Sequence, residues 1–281
     1  MKFGIFDHID DAGIPLGELY ANRLTIAEAY ERAGFYGYHV AEHHFTPLGA
    51  AASPGLIFSA LAYRTTKLRF GPMVYLLPFY HPLRLIEEVC MLDQMSGGRF
   101  QLGVGRGVSM FETAAYGLDF TKTQQMYHEA FQVLLKGLNS EELSFAGEFY
   151  KFDKLPMILK PVQKPHPPLW YGVTMPPNAV WPAENDINII ALGLRDSTST
   201  IIKSYRDARA KLGRNPDSTL VGVSRHVVVA DTDEEAMAIA RRAYPRWHAS
   251  LTHLARTHGS LPIYQRPAEF DATTGGGRGI G

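Results

Sequence analysis

The sequence predicts an α/β fold of the (β/α)8 barrel class, and three observations support this prediction. Short apolar strands alternate with amphipathic helices, no Asn-Gly or similar hairpin signal separates them, and polar residues collect where the strands end. The strands are therefore expected to pair in parallel through crossover helices. The 281 residues suit one such barrel, although length alone also allows two ordinary domains.

The elements follow one another in regular order. Strands are predicted at residues 2–7, 37–42, 68–77, 100–104, 169–173, 187–192 and 220–229, and helices at 18–33, 54–63, 82–96, 121–138, 200–212 and 232–244. Thr232 and Glu235 form a capping box for the last helix, which Pro245 is expected to break or kink. Because only seven strands are counted, the last strand and helix of the barrel are expected to be missing from this chain.

Two segments interrupt this pattern within a single predicted domain over residues 1–281. Residues 147–168 contain many prolines, which cannot continue a helix or a central sheet, so this segment is predicted to be an excursion across the barrel end. Residues 258–281 end in a glycine-rich stretch and are predicted to form a mobile lid or tail.

Composition excludes several classes of partner. The formal net charge is zero and no run of Lys or Arg occurs, which argues against nucleic acid or an anionic membrane surface as partner. No apolar run reaches the roughly 18 residues of a membrane span, so a cytoplasmic location is expected. The single cysteine, Cys90, cannot form an intrachain disulfide and is predicted to be buried filler in a helix.

Residues 76–107 are the most informative stretch. Pro82 begins a helix whose apolar residues recur three and four apart, Gly97 ends it, and the next strand ends at Gly105. Arg106 follows between two glycines, where a guanidinium has room to bind phosphate or carboxylate. The alternative for Arg106 is a helix-capping or ion-pair role.

In a (β/α)8 barrel the loops after the strands meet at one face, so residues from several loops are expected to converge there. The candidates are Asp7, His8, Glu42, His43, His44, residues 75–77 and Arg106. Histidines at such positions can equally be hydrogen-bonded packing residues. A metal hydrolase is a further alternative, but adjacent histidines on a strand point to opposite faces and no HxH pair follows the first strand, so no metal site is predicted.

A set of large apolar side chains follows the same strands. It comprises Phe6, Tyr75, Phe79, Met110 and Phe111. These side chains are predicted to line an apolar substrate pocket. The alternative is that they belong to the hydrophobic core.

Several motifs together resemble the bacterial luciferase-like flavin monooxygenases, and in particular the luciferase α subunit. They are MKFGIF at the start, AEHHF at 41–45, LLPFYHPLRLIEEVCMLDQMSGGRF at 76–100 and GVGRG at 103–107. The resemblance is good over residues 1–135 and weaker afterwards. It implies a TIM barrel that binds reduced FMN, supplied by a separate flavin reductase, and reacts it with molecular oxygen to a flavin hydroperoxide that oxygenates a small apolar substrate.

The resemblance also implies roles for individual residues. His43 matches the histidine associated with acid/base chemistry, and Glu42 and His44 would orient it. Arg106 matches the arginine that binds the FMN phosphate, with Thr174 and Asn178 as further contacts. Met73, Val74 and Tyr75 correspond to a non-proline cis peptide that supports the isoalloxazine ring.

One position departs from the family pattern. Gly105 stands where luciferase α has a cysteine, so a non-luminescent enzyme is expected. The resemblance also implies a homodimer. Two alternatives remain open: a deazaflavin-dependent hydride-transfer oxidoreductase, and a non-catalytic flavin-binding partner subunit that resembles luciferase β.

Overall fold

The computed structural model describes residues 1–215 and 217–259, and the chain divides into two compact units. Unit 1 holds Met1–His44 and Ala51–Trp170, and unit 2 holds Phe45–Ala50 and the chain from Tyr171 onward. The single domain expected over residues 1–281 stays a prediction. Of the tail predicted at residues 258–281, the part from residue 260 lies outside the described residues.

Unit 1 begins with strands that pair in parallel, with helices between them. Its strands include β1 (Gly4–Asp7), β2 (Gly37–Val40), β3 (Arg69–Pro72), β4 (Tyr75–Leu76) and β5 (Leu102–Gly105), and its helices are α1 (Leu16–Arg32), α2 (Pro54–Arg64), α3 (Pro82–Ser96), α4 (Met110–Ala115) and α5 (Thr123–Asn139). The pairs β1–β2, β2–β3 and β4–β5 are all parallel. The predicted parallel pairing through crossover helices is therefore confirmed.

Helix α3 follows the sequence prediction. Pro82 occupies its first turn, and Gly97 ends it with φ 62° in the left-handed region that favours glycine. The face that recurs three and four apart is buried and packs against α2 and α5; it comprises Leu85, Ile86, Val89 and Leu92. The period of 3.6 residues thus identified both the helix and its buried face.

Cys90 lies on the same helix and is buried, as expected. Its Sγ is 3.5 Å from the carbonyl oxygen of Leu159. Burial raises the pKa of the thiol to about 11, so it stays protonated at neutral pH. The prediction that Cys90 is buried is confirmed.

The third predicted strand is divided in the structure. Instead of one strand over residues 68–77, β3 and β4 are separate segments on either side of the Met73–Val74 peptide, which is cis. The bond at the position that the resemblance indicated is therefore present. Gly71 and Pro72 stand directly before the interruption, but apolar residues continue on both sides of it, so periodicity alone did not reveal the break.

The proline-rich segment contains a strand that the sequence did not reveal. β6 (Glu142–Ala146) and β7 (Lys151–Pro156) form an antiparallel hairpin, and β7 lies inside residues 147–168. The carboxylate of Glu129 accepts hydrogen bonds from the backbone N–H groups of Phe149 and Tyr150 at 2.6 and 3.2 Å. Pro156 is the last residue of β7 and the other prolines follow it, so they do not interrupt its ladder.

Strand β8 (Leu169–Val173) begins in unit 1 and continues into unit 2. In unit 1, its first residues pair in parallel with β5, with Leu169 opposite Leu102. The remaining elements of unit 2 are α6 (Val180–Glu184), β9 (Asn188–Ala191), α7 (Arg195–Lys211), β10 (Val221–Val223), α8 (Asp233–Leu251) and α9 (His253–Thr257). β9 and β10 are parallel, and the buried cluster of unit 2 includes Ile189, Ala191, Ile201 and Tyr205.

Three predicted bounds in unit 2 need correction. Helix α7 begins at Arg195 rather than residue 200, and β10 ends at Val223 rather than residue 229. Thr232 caps α8 as predicted, because its hydroxyl accepts from the Glu235 N–H at 3.2 Å, but the helix continues through Pro245. Buried Tyr244 and His248 on either side hold it by packing, which outweighs one lost backbone bond.

None of the helices in the described residues is long and apolar enough to cross a membrane.

Candidate active site

Polar residues follow the ends of β1, β2 and β5 in unit 1. β1 ends at Asp7, β2 at Val40 and β5 at Gly105, and the strands run in parallel within their sheets. The carboxyl ends of parallel strands meet at one edge of a sheet, where side chains from different loops can contact each other. Two carboxylates and two histidines are connected by direct contacts, and Arg106 after β5 is the further candidate residue.

Glu42 and His44 form a buried pair. Oε1 of Glu42 lies 2.8 Å from Nε2 of His44, while its Oε2 accepts from the Tyr80 hydroxyl at 2.9 Å and the Leu76 N–H at 3.2 Å. Burial raises the pKa of the Glu42 carboxyl, and the contacts with His44 and Tyr80 act in the opposite direction. Glu42 therefore serves His44, Tyr80 and the backbone.

His44 has hydrogen-bond partners on both ring nitrogens. Its Nδ1 lies 2.9 Å from the Tyr116 hydroxyl, opposite the Glu42 contact at Nε2. Its ring also packs edge-on against Phe79, at 5.5 Å between centroids and 70° between planes. These contacts anchor the ring in the wall of the site.

His43 is the more accessible of the two histidines, with 26% of its side chain exposed. Its Nδ1 lies 3.3 Å from Oε1 of Glu112, and its ring stacks on His8 at 5.7 Å between centroids. The expectation that Glu42 and His44 orient His43 needs correction, because the contacting carboxylate is that of Glu112. Adjacent residues of an extended segment point in opposite directions, so Glu42 reaches His44 instead.

Glu112 is the residue that the sequence analysis missed. It lies on the short helix α4, whose N-cap Ser109 accepts the Glu112 N–H at 3.2 Å. Ser109 and Glu112 have the spacing of a capping box, so this pattern could have identified the helix. It could not have shown that the Glu112 carboxylate contacts His43, because the two residues are far apart in the chain.

Arg106 follows β5 and is partly buried. Its Nη1 lies 3.4 Å from the Thr123 hydroxyl, and its guanidinium lies 4.8 Å from the centre of the Phe120 ring. No carboxylate of residues 1–215 or 217–259 lies within 4.0 Å of the guanidinium nitrogens. The ion-pair alternative therefore has no support in the described residues, and the guanidinium fork can take an anion such as a phosphate.

Gly105 provides space for Val74 of the cis peptide. A Cβ atom built on Gly105 would lie 2.3 Å from Cγ2 of Val74. Val is stiff about χ1, so its methyl group cannot move away without loss of packing. The absence of a side chain at Gly105, the position that departs from the luciferase α pattern, therefore leaves room for the side chain of Val74.

We expect Gly105→Ala to lower the free energy of unfolding by about 1–3 kcal/mol through overpacking. Chemical denaturation measures this change. Gly17→Ala is the matched control, because no atom lies within 4 Å of its built Cβ and it lies in helix α1; we expect no loss of stability there. Equal stability of the Gly105 variant and the wild type would contradict the role of this contact.

Four of the five predicted pocket residues are half-buried or exposed, and their role in a pocket stays a prediction. Phe6 and Phe79 are half-buried and contact His8 and Tyr116, with ring centroids 4.9 and 4.6 Å apart. On α4, Met110 is exposed and Phe111 is half-buried.

Tyr75 is the exception and needs correction. Its side chain is completely buried, packs against Phe58 of α2 and donates a 2.6 Å hydrogen bond to Glu88 of α3. It therefore belongs to the core between strand and helices rather than to a pocket wall. Alternation along the strand directs its side chain away from the site.

Thr174 and Asn178 belong to unit 2, where both are exposed. Thr174 follows the end of β8, and Asn178 lies in a one-turn 3-10 helix at Pro176–Ala179. Their suggested contacts to a phosphate stay a prediction. Among residues 1–215 and 217–259, no group of three His, Cys, Asp or Glu side chains is placed to hold a metal ion.

Comparison with known families identifies the chain. The family model described as luciferase-like monooxygenase matches residues 1–274. The chain belongs to the luciferase-like monooxygenase family. It is thus an oxidoreductase of the flavin-dependent monooxygenase class, as the sequence motifs indicated.

Two relatives of this luciferase-like monooxygenase illustrate the match. An uncharacterized protein of Sinorhizobium fredii is 40% identical over 274 residues, which cover 97% of this chain and 80% of the relative. The oxygenase component of the flavin-dependent trigonelline monooxygenase from Acinetobacter baylyi is 27% identical over 246 residues, which cover 85% of this chain and 68% of the relative.

A solved structure shares the fold. The oxygenating constituent of 3,6-diketocamphane monooxygenase from Pseudomonas putida, in complex with FMN, has a TM-score of 0.81 at 21% identity. The match covers 92% of this chain and 77% of that one. The predicted α/β barrel class is therefore confirmed for this luciferase-like monooxygenase.

Proposed function

We propose that this chain is the oxygenase of a reduced-FMN and O2-dependent monooxygenase that acts on a small apolar organic substrate without emitting light. The observation that carries the proposal is that the guanidinium of Arg106 has no carboxylate partner in the described residues. Arg106 follows β5, the strand that pairs with β4. An arginine side chain without a carboxylate partner can bind a phosphate group such as that of FMN. The name of the FMN-bound structure supports the same cofactor.

Different residues of unit 1 would bind the cofactor and transfer protons. Arg106 would hold the FMN phosphate, and Gly105 leaves Val74 in place beside it. Reduced FMN, when bound, supplies the electrons with which one oxygen atom of O2 enters the substrate and the other becomes water. His43, accessible and held by a buried carboxylate, would donate and accept the protons that this reaction requires.

Substrate class and partners are part of the proposal. Phe6, Phe79, Met110 and Phe111 would contact the apolar substrate. A separate flavin reductase would supply reduced FMN, which the name of the Acinetobacter relative, an oxygenase component, supports. Gly105 in place of the luciferase α cysteine is the reason to expect no light.

One experiment tests the function directly. The purified chain is mixed with chemically reduced FMN, 18O2 and a panel of small ketones, aldehydes and aromatic compounds. We expect one atom of 18O in a product and the appearance of oxidised FMN. Turnover only with a reduced deazaflavin, without oxygen incorporation, would instead identify a hydride-transfer enzyme. Absence of any turnover with both cofactors would favour a non-catalytic subunit.

We also propose that two copies of the chain associate through α2 and α3. These helices pack together in unit 1, and large apolar side chains stand exposed on them: Leu56, Tyr63 and Met91. Such a patch on neighbouring helices suits a self-complementary contact with a second copy. The proposed partner is therefore an identical chain.

We expect Leu56→Glu to convert the dimer to a monomer, because it places a charge on a side chain position that is 73% exposed in the single chain and would be buried between copies. Sedimentation equilibrium measures the mass. Val229→Glu is the matched control, since Val229 is also exposed but lies in unit 2. A monomeric wild type, or a dimeric Leu56 variant, would contradict the proposal.

A further inference from the structure

The Glu112 carboxylate is fixed by groups other than His43. It is buried, its Oε1 accepts the backbone N–H of His44 at 3.0 Å, and the capped first turn of α4 holds its backbone. The acceptor therefore has a defined position before the His43 ring is considered. His43 must adapt to this carboxylate, and the carboxylate does not depend on His43.

An ionised carboxylate only accepts hydrogen bonds. Nδ1 of His43, at 3.3 Å from Oε1 of Glu112, must therefore carry the hydrogen of the neutral ring. Nε2 then holds the lone pair. Across residues 1–215 and 217–259, Nε2 of His43 has no hydrogen-bond partner.

The neighbouring histidine has the opposite arrangement. Nε2 of His44 faces Oε1 of Glu42 and donates to it when Glu42 is ionised, in which case Nδ1 accepts from the hydroxyl of Tyr116. Both nitrogens of this ring are engaged. Two adjacent histidines are thus held in opposite tautomers by two different buried carboxylates.

We infer that Glu112 is the positioning residue of His43: it holds the ring in the Nδ1–H tautomer, so that Nε2 is the atom that exchanges protons in the reaction. The inference deepens the proposed function, since it rests on the acid/base role of His43. It assigns distinct duties to two histidines that the sequence places side by side. His44 and Glu42 form part of the wall of the site, whereas Glu112 orients His43 for proton transfer.

The tautomers can be measured without cofactor. Long-range 1H–15N correlation spectra of the full chain, labelled with 15N-histidine, distinguish Nδ1–H from Nε2–H rings, and the spectrum of His43→Ala assigns the His43 signals. We expect Nδ1–H for His43 and Nε2–H for His44 in the wild type. Glu112→Ala should remove the Nδ1–H preference of His43 and leave His44 unchanged, which also reports that the fold is intact.

Glu112→Gln is the conservative variant. Its amide oxygen can still accept from His43 Nδ1 and from the His44 N–H, so the Nδ1–H tautomer should return if positioning is the role. Glu141→Ala is the matched control, since Glu141 is 94% exposed, and we expect a wild-type spectrum from it. A wild-type His43 in the Nε2–H form, or an unchanged His43 spectrum in Glu112→Ala, would overturn the inference.

Kinetics separate this inference from the proposed function. Glu112→Ala should lower kcat by no more than His43→Ala, for which about 10²–10⁴-fold is expected, and the double variant should be no worse than His43→Ala alone. Additive losses would contradict a role through His43. Unchanged turnover in His43→Ala, together with the expected tautomers, would refute the acid/base assignment and leave the positioning of the ring intact.

Discussion

Replacing His43 by alanine is expected to lower product formation by about 10²–10⁴-fold while FMN binding is retained. The ring is partly accessible and is held through Nδ1 by Glu112, so its loss removes a proton donor and acceptor. It leaves untouched Arg106, the proposed phosphate contact. Single-turnover product yield with chemically reduced FMN, beside an equilibrium titration with FMN, measures both quantities.

His253→Ala is the control for this experiment, because His253 is an exposed histidine on α9 in unit 2. We expect its product yield to equal that of the wild type. Wild-type yield in the His43 variant would remove His43 from the mechanism. A parallel loss of FMN affinity would instead assign the residue to cofactor binding.

Replacing Arg106 by alanine is expected to weaken FMN binding by about 1.5–3 kcal/mol, the usual contribution of a charge-assisted hydrogen bond. This corresponds to a dissociation constant about 10–150-fold higher. The guanidinium has only the Thr123 hydroxyl and the Phe120 ring as partners in the described residues, so its removal leaves no buried carboxylate unpaired. The loss should therefore report the ligand contact rather than damage to the fold.

Riboflavin, which lacks the phosphate, provides a matched ligand control. We expect Arg106→Ala to bind riboflavin as the wild type does, and Arg106→Lys to recover part of the FMN affinity, because a lysine keeps the charge but loses the planar fork. Arg241→Ala, on the exposed face of α8, should bind both ligands normally. Equal FMN affinity of Arg106→Ala and the wild type would exclude Arg106 as the phosphate contact.

Residues near in sequence were predicted well, because their positions follow from local rules. Pro82, Gly97 and the apolar spacing between them predicted α3 with its correct bounds, and Gly105 predicted the end of the strand before Arg106. The family resemblance added the cis peptide at Met73–Val74, which is present. No periodic pattern could have indicated that bond.

Pairings between distant residues were not predictable in the same way. Glu42 stands next to His43 in the chain, yet it contacts His44, and Glu112 from α4 supplies the carboxylate that His43 contacts. The contact of Tyr75 was likewise not predicted from the sequence. Its position at a strand end suggested a pocket, whereas its side chain is in the core and donates to Glu88 of α3.

The sequence by itself determined the α/β class, the parallel pairing of strands through crossover helices, the family, and the segments that carry His43 and Arg106. Period, capping residues and glycine positions act over a few residues, so they can be read along the chain. Only the tertiary structure decided which carboxylate contacts which histidine. That choice depends on side-chain directions across different strands and helices, which local sequence does not encode.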